Sequence, residues 1–401
     1  MSSLEKNMMK NRLPPRMPRT SGISKLAPFG ISRRKDYTPV SWKNYFEKYV
    51  DIEIDAGIFR VYLSPQPDHP QRPRIVTLHG GGYSGLSWSL FTEEITNMIH
   101  CQVVSIDIRG HGETKAIDPD DLSIDTLVKD VEQVLHKLFG SELPPLILLG
   151  HSMGGAIAVR TAHIPSLQLA VQGVAVIDLS TAMEALASMQ SFLRSRPTHF
   201  KSIEHAIEWC IRSGQVRNVE SARVSMPSQI VNCVTGELAT NEVEDYKAVE
   251  SPLEPGVRGG RDDVIAEEGE GDVEGAERGE GAQFTKPSPV DGNMRYRWRV
   301  DLSRSERHWS GWFSGLSGSF LSTPAPRLLL LASVDGLDRD LTVGQMQGKF
   351  QMQVLTRCGH AVHEDTPSEV ARVVASFALR HRLTIPTESG EEMNLISAPG
   401  C

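Results

Sequence analysis

Short apolar runs alternate with segments of helical periodicity along most of the 401-residue chain. The stretch VDIEIDAGIFRVYLSP alternates apolar and polar residues on both sides of Asp55-Ala56-Gly57, which predicts a β-hairpin. Six later apolar runs have the length of buried strands and predict a strand each: PRIVTL, CQVVSI, PLILLG, GVAVID, PRLLLL and FQMQVL.

Helices are predicted between and after these runs, in FTEEITNMIH, in IDTLVKDVEQVLHKLFG, from about Gly154 onwards and in PSEVARVVASFALRHR. The second of these segments carries its apolar residues on one face and ends at Gly140, a typical residue after a helix. Strands that alternate with helices are typical of a parallel sheet covered on both faces. The pattern therefore predicts an α/β fold with a mainly parallel eight-stranded sheet and antiparallel strands at one edge.

Residues 181–323 interrupt this alternation. Their first part, TAMEALASMQSFLRSRPTHFKSIEHAIEWCIRSGQ, predicts two helices. Residues 239–292 are rich in Glu, Asp and Gly and poor in large apolar residues, which predicts a disordered acidic loop. Since the insertion follows the sixth predicted strand, it is expected to lie over the carboxyl ends of the strands as a helical lid. Residues 1–37 are basic and contain prolines, which predicts a disordered tail.

Composition and charge are those of an ordinary soluble globular protein, with 39% hydrophobic and 23% charged residues. The net charge of −8 does not indicate binding to nucleic acid. Five scattered cysteines without a CxxC pair indicate reduced thiols, and hence a cytoplasmic or nuclear protein. No apolar run has the length of a membrane span, and the N-terminus has no apolar signal core, so no membrane association is expected.

The candidate nucleophile is Ser152, in LLGHSMGGAIA. It follows a predicted buried strand and precedes a predicted helix, with Gly150 and Gly154 at the positions that a G-x-S-x-G nucleophile elbow requires. Glycines allow the sharp strand-to-helix turn, and the N–H groups of the following helix point at the serine. Ser152 is therefore interpreted as a nucleophile rather than as an ordinary turn residue.

A serine hydroxyl needs a base, and the base is expected in a loop after the last strand. His360 and His363 lie there, in VLTRCGHAVHED. His360 comes directly after Gly359 at the end of the predicted strand and is favoured, which leaves His363 as a structural or surface residue. The spacing HAVHED matches neither H-E-x-x-H nor its inverse, so it does not indicate a metal site.

The acid that orients the base has candidates in two places. Asp335 or Asp338 follows the seventh predicted strand, and Asp178 follows the sixth. Spacing alone does not choose between them, and each could instead cap a helix or a turn. For the oxyanion hole, the two N–H donors are expected from Met153, next to the nucleophile, and from Gly81 in LHGGGYS.

Several longer motifs resemble one family of α/β-hydrolases, the protein phosphatase methylesterases. They are LLGHSMGGAIAV, RGHGET, SARVSM and LTVGQMQGKFQMQVL followed by CGHAVHED, together with the opening MSSLEK…YTPVSWKNYF. The resemblance implies an α/β-hydrolase fold over 38–400. It also implies a serine esterase that removes the methyl ester from the C-terminal leucine of the protein phosphatase 2A catalytic subunit.

The resemblance further implies that Ser152 is the nucleophile, His360 the base and Asp178 the acid. It implies a monomer that needs no cofactor or metal and binds the phosphatase over a broad surface that organises the active site. Members of the family carry a short Val/Glu/Gly-containing segment between this aspartate and TAM, where this chain has only Leu179 and Ser180. That difference raises the hypothesis that Asp178 is displaced.

Two other functions are kept as alternatives. A small-molecule carboxylesterase would use the same three residues with a different pocket. A catalytically impaired phosphatase-binding protein would result if the shortened segment after Asp178 had removed activity.

Overall fold

The structure is a computed structural model that describes residues 35–178, 193, 196–249, 294–334 and 337–393, without the side chains of 245–249. The predicted tail of residues 1–37 lies almost wholly outside these ranges, and a compact unit begins at Tyr37. The strands are β1 Lys48–Ile54, β2 Gly57–Leu63, β3 Arg74–Leu78, β4 Gln102–Ile106, β5 Lys115–Ala116, β6 Leu146–His151, β7 Val171–Ile177, β8 His199–Phe200, β9 Ile230–Asn232, β10 Tyr296–Trp298, β11 Arg327–Leu331 and β12 Gln351–Val354.

The main sheet has the predicted architecture. Among the described residues, eight strands lie side by side in the order β1-β2-β4-β3-β6-β7-β11-β12, and the short β5, which the sequence did not predict, pairs with β2. The six strands from β4 to β12 in this order are parallel, whereas β1 and β2 form the predicted antiparallel hairpin, with Ile54 opposite Gly57. The mainly parallel α/β sheet is therefore confirmed.

The helices cover both faces of this sheet, as predicted. They are α1 Ser89–Met98, α2 Ile124–Phe139, α3 Met153–Thr161, α4 Ile203–Arg212, α5 Val219–Ser225, α6 Ala239–Val249, α7 Glu306–Phe313, α8 Leu316–Ser322, α9 Arg339–Met346, α10 Val362–Asp365, α11 Pro367–Arg380 and α12 Glu388–Glu392. Short 3₁₀ helices lie at Trp42–Asn44, Gly85–Trp88, Met226–Gln229 and Leu302–Ser305. Within the described part of the chain, no helix is long and apolar enough to cross a membrane.

Alternate residues of each central strand face two separate cores. Val76 of β3 and Leu148 of β6 pack in one core with apolar residues of α2 and α3. Their neighbours Ile75 and Ile147 pack in the other core, with apolar residues of α1 and α11. Because both faces are covered, every residue of β3, β4 and β6 is buried, which explains why apolar residues predominate in these strands.

The insertion after β7 has more structure than the sequence predicted. A separate antiparallel sheet has the order β8-β10-β9 and packs with α4 around a third apolar core. The second predicted helix is present as α4, whereas the first falls mostly outside the described residues. The expectation of a loop from residue 239 is wrong at its start, because α6 occupies Ala239–Val249, and residues 250–292 of that range are not described. The lid remains a prediction.

Candidate active site

Ser152 lies at the sharp turn between β6 and α3. Its backbone has φ 51° and ψ −117°, a conformation that is strained for a residue with a side chain. The two flanking glycines make the turn possible. A Cβ on Gly150 would lie 2.1 Å from the carbonyl oxygen of Gly154, and a Cβ on Gly154 would lie 2.1 Å from that of Leu78. The N–H of Ser152 donates to the carbonyl of Ile177, which ties the turn to β7 (3.1 Å).

His360 and Asp178 are in direct contact. Nδ1 of His360 lies 2.5 Å from Oδ2 of Asp178, which follows β7 in a left-handed conformation with φ 57°. The N–H of Asp178 donates to the carbonyl of Leu330 (2.8 Å), so the neighbouring strand β11 holds this residue. Burial raises the pKa of Asp178, but the hydrogen bond and charge of His360 outweigh burial and leave the pKa below its ordinary value. Asp178 therefore lies within hydrogen-bond distance of the candidate base in this chain, where the family's longer segment is shortened.

The candidate nucleophile and base line one pocket of about 180 Å³. Ser152 is 9% exposed, whereas the side chain of His360 is 47% exposed. The predicted oxyanion donor Gly81 also lines this pocket, and the other, Met153, is the first residue of α3. The N–H groups of a first helical turn have no partner within the helix and remain available to an oxyanion. Aromatic and aliphatic side chains form part of the remaining wall: Tyr83, Leu193, Leu302 and Trp309.

Two buried histidines brace the loop that carries Gly81. His79 donates from Nδ1 to the carbonyl of Gly80 and accepts the N–H of Ile108 at Nε2 (2.8 and 3.0 Å). His111 accepts the N–H of Gly82 at Nε2 (2.9 Å). Burial lowers the pKa of both, to about 4 for His111, so both rings are neutral at physiological pH and can accept these bonds. The sequence analysis missed this role, although RGHGET contains His111.

His151 was also missed, although it immediately precedes the candidate nucleophile. Its Nε2 donates to the backbone carbonyl of His360 (2.8 Å), and the two rings lie 4.7 Å apart between centroids. The side chain is fully buried, and burial holds its pKa well below the ordinary value. A neutral ring at this position connects the end of β6 with the loop of the candidate base.

The remaining sequence candidates have structural contacts. Asp338 caps α9, because its Oδ1 accepts the N–H of Leu341 (2.8 Å), and Asp335 lies outside the described residues. His363 is fully buried against Trp88, with ring centroids 4.1 Å apart, as expected of a structural histidine. Within the ranges that the structure describes, no group of three or more His, Cys, Asp or Glu side chains is arranged to hold a metal ion.

Glu364, next to His363, is a fully buried carboxyl group. Its Oε2 accepts the hydroxyl of Ser225 (3.3 Å), whereas Oε1 has no hydrogen-bond partner among the described residues. Burial raises the pKa of Glu364 to about 8. Between the ordinary pKa of about 4.3 and this value, the native state binds more protons than the unfolded state, so Glu364 lowers stability progressively as pH rises through this range.

Replacement of Glu364 by glutamine is therefore expected to increase the melting temperature more at pH 8.5 than at pH 5.5. The difference between the two increments should be about 3 °C, because only the carboxylate carries the cost of burying a charge. Thermal denaturation of both proteins at both pH values measures this difference. An increment of equal size at both pH values would show that Glu364 does not titrate in this way.

Comparison with known proteins places this chain in a family. The sequence model of the Alpha/beta hydrolase family matches residues 75–373. Protein phosphatase methylesterase 1 of Mus musculus is 47% identical over 399 residues, which cover 96% of this chain and 97% of the mouse protein. The Homo sapiens protein of the same name is 47% identical over 401 residues, with the same shares of the two chains covered. Probable protein phosphatase methylesterase 1 of Caenorhabditis elegans is 39% identical over 93% of this chain and 84% of its own.

Solved structures support the fold. E-2-(acetamidomethylene)succinate hydrolase superposes with a TM-score of 0.56 at 15% identity, over 82% of this chain and 99% of that chain. The thioesterase domain from the curacin biosynthetic pathway superposes with a TM-score of 0.52 at 17% identity, over 82% and 98% of the two chains. At such low identity, these two likenesses bear on the fold alone.

Proposed function

Because the chain belongs to the protein phosphatase methylesterase family of α/β-hydrolases, we propose that it hydrolyses the methyl ester of the C-terminal leucine of the protein phosphatase 2A catalytic subunit. The contact between His360 and Asp178, beside Ser152 in one pocket, carries this proposal. An impaired phosphatase-binding protein would not need an ionised carboxylate held against the candidate base.

In the proposed reaction, His360 takes the proton of the Ser152 hydroxyl at Nε2 while Oγ attacks the ester carbonyl carbon. Nε2 is available for this step because Nδ1 faces Asp178. The resulting oxyanion accepts hydrogen bonds from the N–H groups of Gly81 and Met153. His360 then gives its proton to the departing methoxide, and the bond from carbon to the methoxy oxygen breaks.

Water completes the reaction by the same steps. His360 takes a proton from water, the hydroxide attacks the acyl-enzyme carbonyl, and the bond to Ser152 Oγ breaks with return of the proton to Oγ. Asp178 keeps the imidazole in one orientation and stabilises its charged form during both steps. The depressed pKa of Asp178 supports this role, because the carboxylate stays ionised wherever His360 must carry a charge.

The proposal is tested by the turnover of three esters: intact methylated phosphatase, a methylated peptide of its C-terminus and a short-chain nitrophenyl ester. We expect kcat/KM to be highest for the intact phosphatase, because a broad contact adds binding energy beyond the pocket. The Ser152→Ala variant is the control for spontaneous hydrolysis.

Two other results would contradict the proposal. A strong preference for the nitrophenyl ester would identify a small-molecule carboxylesterase. Capture of the phosphatase without hydrolysis of any of the three esters would identify a binding protein.

A further inference from the structure

A second cavity adjoins the catalytic pocket. It has a volume of about 560 Å³, and Leu193 and Leu302 line both spaces. Leu302 also contacts the loop that carries Gly81 and Gly82, which we call the oxyanion loop, because a Cβ on Gly82 would lie 2.8 Å from its Cδ1. A substrate polypeptide that leaves the catalytic pocket past Leu302 therefore enters this second cavity. We call it the arginine cavity, because Arg196, Arg297, Arg299 and Arg304 line it.

The sequence RYRWRVD places two of these arginines. Arg297 lies within β10 and Arg299 directly follows it, and the i, i+2 spacing puts them on one face of the strand. Arg297 is exposed, whereas Arg299 is partly buried and donates to the carbonyls of Gly112 and Thr114 (3.3 Å each). Burial lowers the pKa of Arg299, and the nearby positive charge of Arg297 lowers it further against the opposing effect of Glu113 and Asp107.

Arg196 adds a third cation to the lining. Its guanidinium carbon lies 3.6 Å from the centroid of the Trp298 ring, a cation–π contact that fixes the group. Burial lowers the pKa of Arg196 to about 10, so it remains charged at physiological pH. The charges of Arg299 and Arg196 also lower the pKa of His111, after the larger effect of burial, and His111 accepts the N–H of Gly82.

Positive side chains outnumber negative ones in the part of the cavity lining that the structure describes. This part contains four guanidinium groups and two carboxylates, Asp120 and Asp301. Asp120 pairs with Arg304 (2.5 Å), and Asp301 accepts the N–H of Ser303 (3.0 Å). In the described part of the chain, no carboxylate lies within ion-pair distance of Arg297 or Arg299. A lining in which cations outnumber anions favours binding of an anion.

We propose that the arginine cavity binds an anionic side chain of the substrate, a carboxylate in the polypeptide that precedes the methylated leucine. This inference rests on the proposed function and specifies the substrate class as an acidic C-terminal segment. A methyl ester carries no charge, so electrostatic recognition of the substrate must use a group elsewhere in its chain. The shared wall at Leu302 places the cavity where such a group would enter.

The test uses pairs of peptide methyl esters that end in leucine. The two peptides of a pair differ only at one position, which holds glutamate in one peptide and glutamine in the other. A separate pair is made for each position before the leucine. At the best position, we expect the wild type to prefer the glutamate peptide about fivefold to tenfold in kcat/KM, the range of a partly buried charged hydrogen bond. In Arg297→Gln and Arg299→Gln, this ratio should fall towards one. High salt should reduce the wild-type ratio, because ions screen the attraction.

Arg295→Gln is the matched control. Arg295 is exposed, directly precedes β10 and lines neither cavity, so this substitution removes the same charge outside the site and should keep the wild-type ratio. Melting temperatures show whether each variant is folded, and Arg297, which is exposed, tests the proposal even if Arg299→Gln does not fold.

The possible failures are distinguishable. If wild type hydrolyses both peptides equally at every position, the inference is wrong and the proposed function stands. If it hydrolyses neither peptide nor the intact methylated phosphatase, both are wrong. An equal loss of the ratio in Arg295→Gln would show a general field effect rather than a site. Increased hydrolysis of both peptides by Arg297→Gln would show that an anionic group of this chain, rather than of the substrate, occupies the cavity. That result would overturn the assignment.

Discussion

Ser152→Ala is expected to lower kcat for the methyl ester about 10⁵- to 10⁶-fold, as in other enzymes that lose a serine nucleophile. The substitution removes Oγ, the atom that attacks the carbonyl carbon. A water molecule in its place is not held in position by the turn. The residual rate should come from the oxyanion donors and from substrate binding. Methanol release by wild type and variant, corrected for the uncatalysed rate, measures the effect.

The fold of Ser152→Ala should be intact. Alanine has the same Cβ as serine, so the strain at φ 51° is unchanged, and the hydroxyl makes no hydrogen bond to any residue that the structure describes. We expect a melting temperature within about 2 °C of the wild type, since substitutions that leave packing unchanged have small effects. Loss of activity together with unfolding would leave the nucleophile unsupported, and wild-type turnover by a folded variant would refute it.

Asp178→Asn is expected to lower kcat about 10⁴-fold, the size of effect seen when the acid of such a triad becomes an amide. An amide nitrogen facing Nδ1 would favour the wrong tautomer of His360, with the proton on Nε2, and the ring could no longer accept a proton from Ser152. The imidazolium formed in the reaction would also lose its carboxylate partner. Methanol release across pH 6–9 measures this loss.

Asp338→Asn serves as the matched control. The sequence left both aspartates open as the acid, but Asp338 accepts the N–H of Leu341 at the start of α9. An asparagine caps a helix about as well as an aspartate, so kcat should stay within about twofold of the wild type. A comparable loss of kcat in Asp338→Asn, or its absence in Asp178→Asn, would contradict the assignment of the acid.

The order of strands and helices could be predicted because most of the sheet is buried on both faces. Strands such as β3 and β6 are fully buried and mainly apolar, and amphipathic α2 carries its apolar residues on one face, so both patterns are strong. β5 has only two residues, and its pairing with β2 depends on the loop after β4 rather than on its own pattern. A strand of that length carries no periodicity that could predict it.

The helix α6 was missed for a related physical reason. Its sequence, ATNEVEDYKAV, is mostly polar and merges with the acidic run that follows, so composition favoured a loop. Contacts that the sequence does not show hold its start: Glu242 accepts hydrogen bonds from Asn232 and from Tyr296 (2.7 and 2.5 Å). Tertiary contacts of this kind override weak local preference.

In the candidate site, too, some residues could be predicted from the sequence and others could not. Ser152 was identifiable because the backbone approaches Gly150 and Gly154 too closely for any side chain. This requirement for glycine leaves a recognisable motif in the sequence. The supporting histidines act through hydrogen bonds to backbone groups that are distant in the sequence, as His151 does with the carbonyl of His360. A lone histidine carries no sequence signal of such a bond. The assignment of Asp178 as the acid required either the structure or the family resemblance, because each candidate aspartate follows a predicted strand.

Active-site titration with a fluorophosphonate tests the central claim, that Ser152 is an activated nucleophile in the pocket it shares with His360. The account predicts one label per chain, located at Ser152 by mass spectrometry, with methanol release from methylated phosphatase falling in direct proportion to labelling. Labelling at another residue, or continued methanol release by enzyme fully labelled at Ser152, would contradict it.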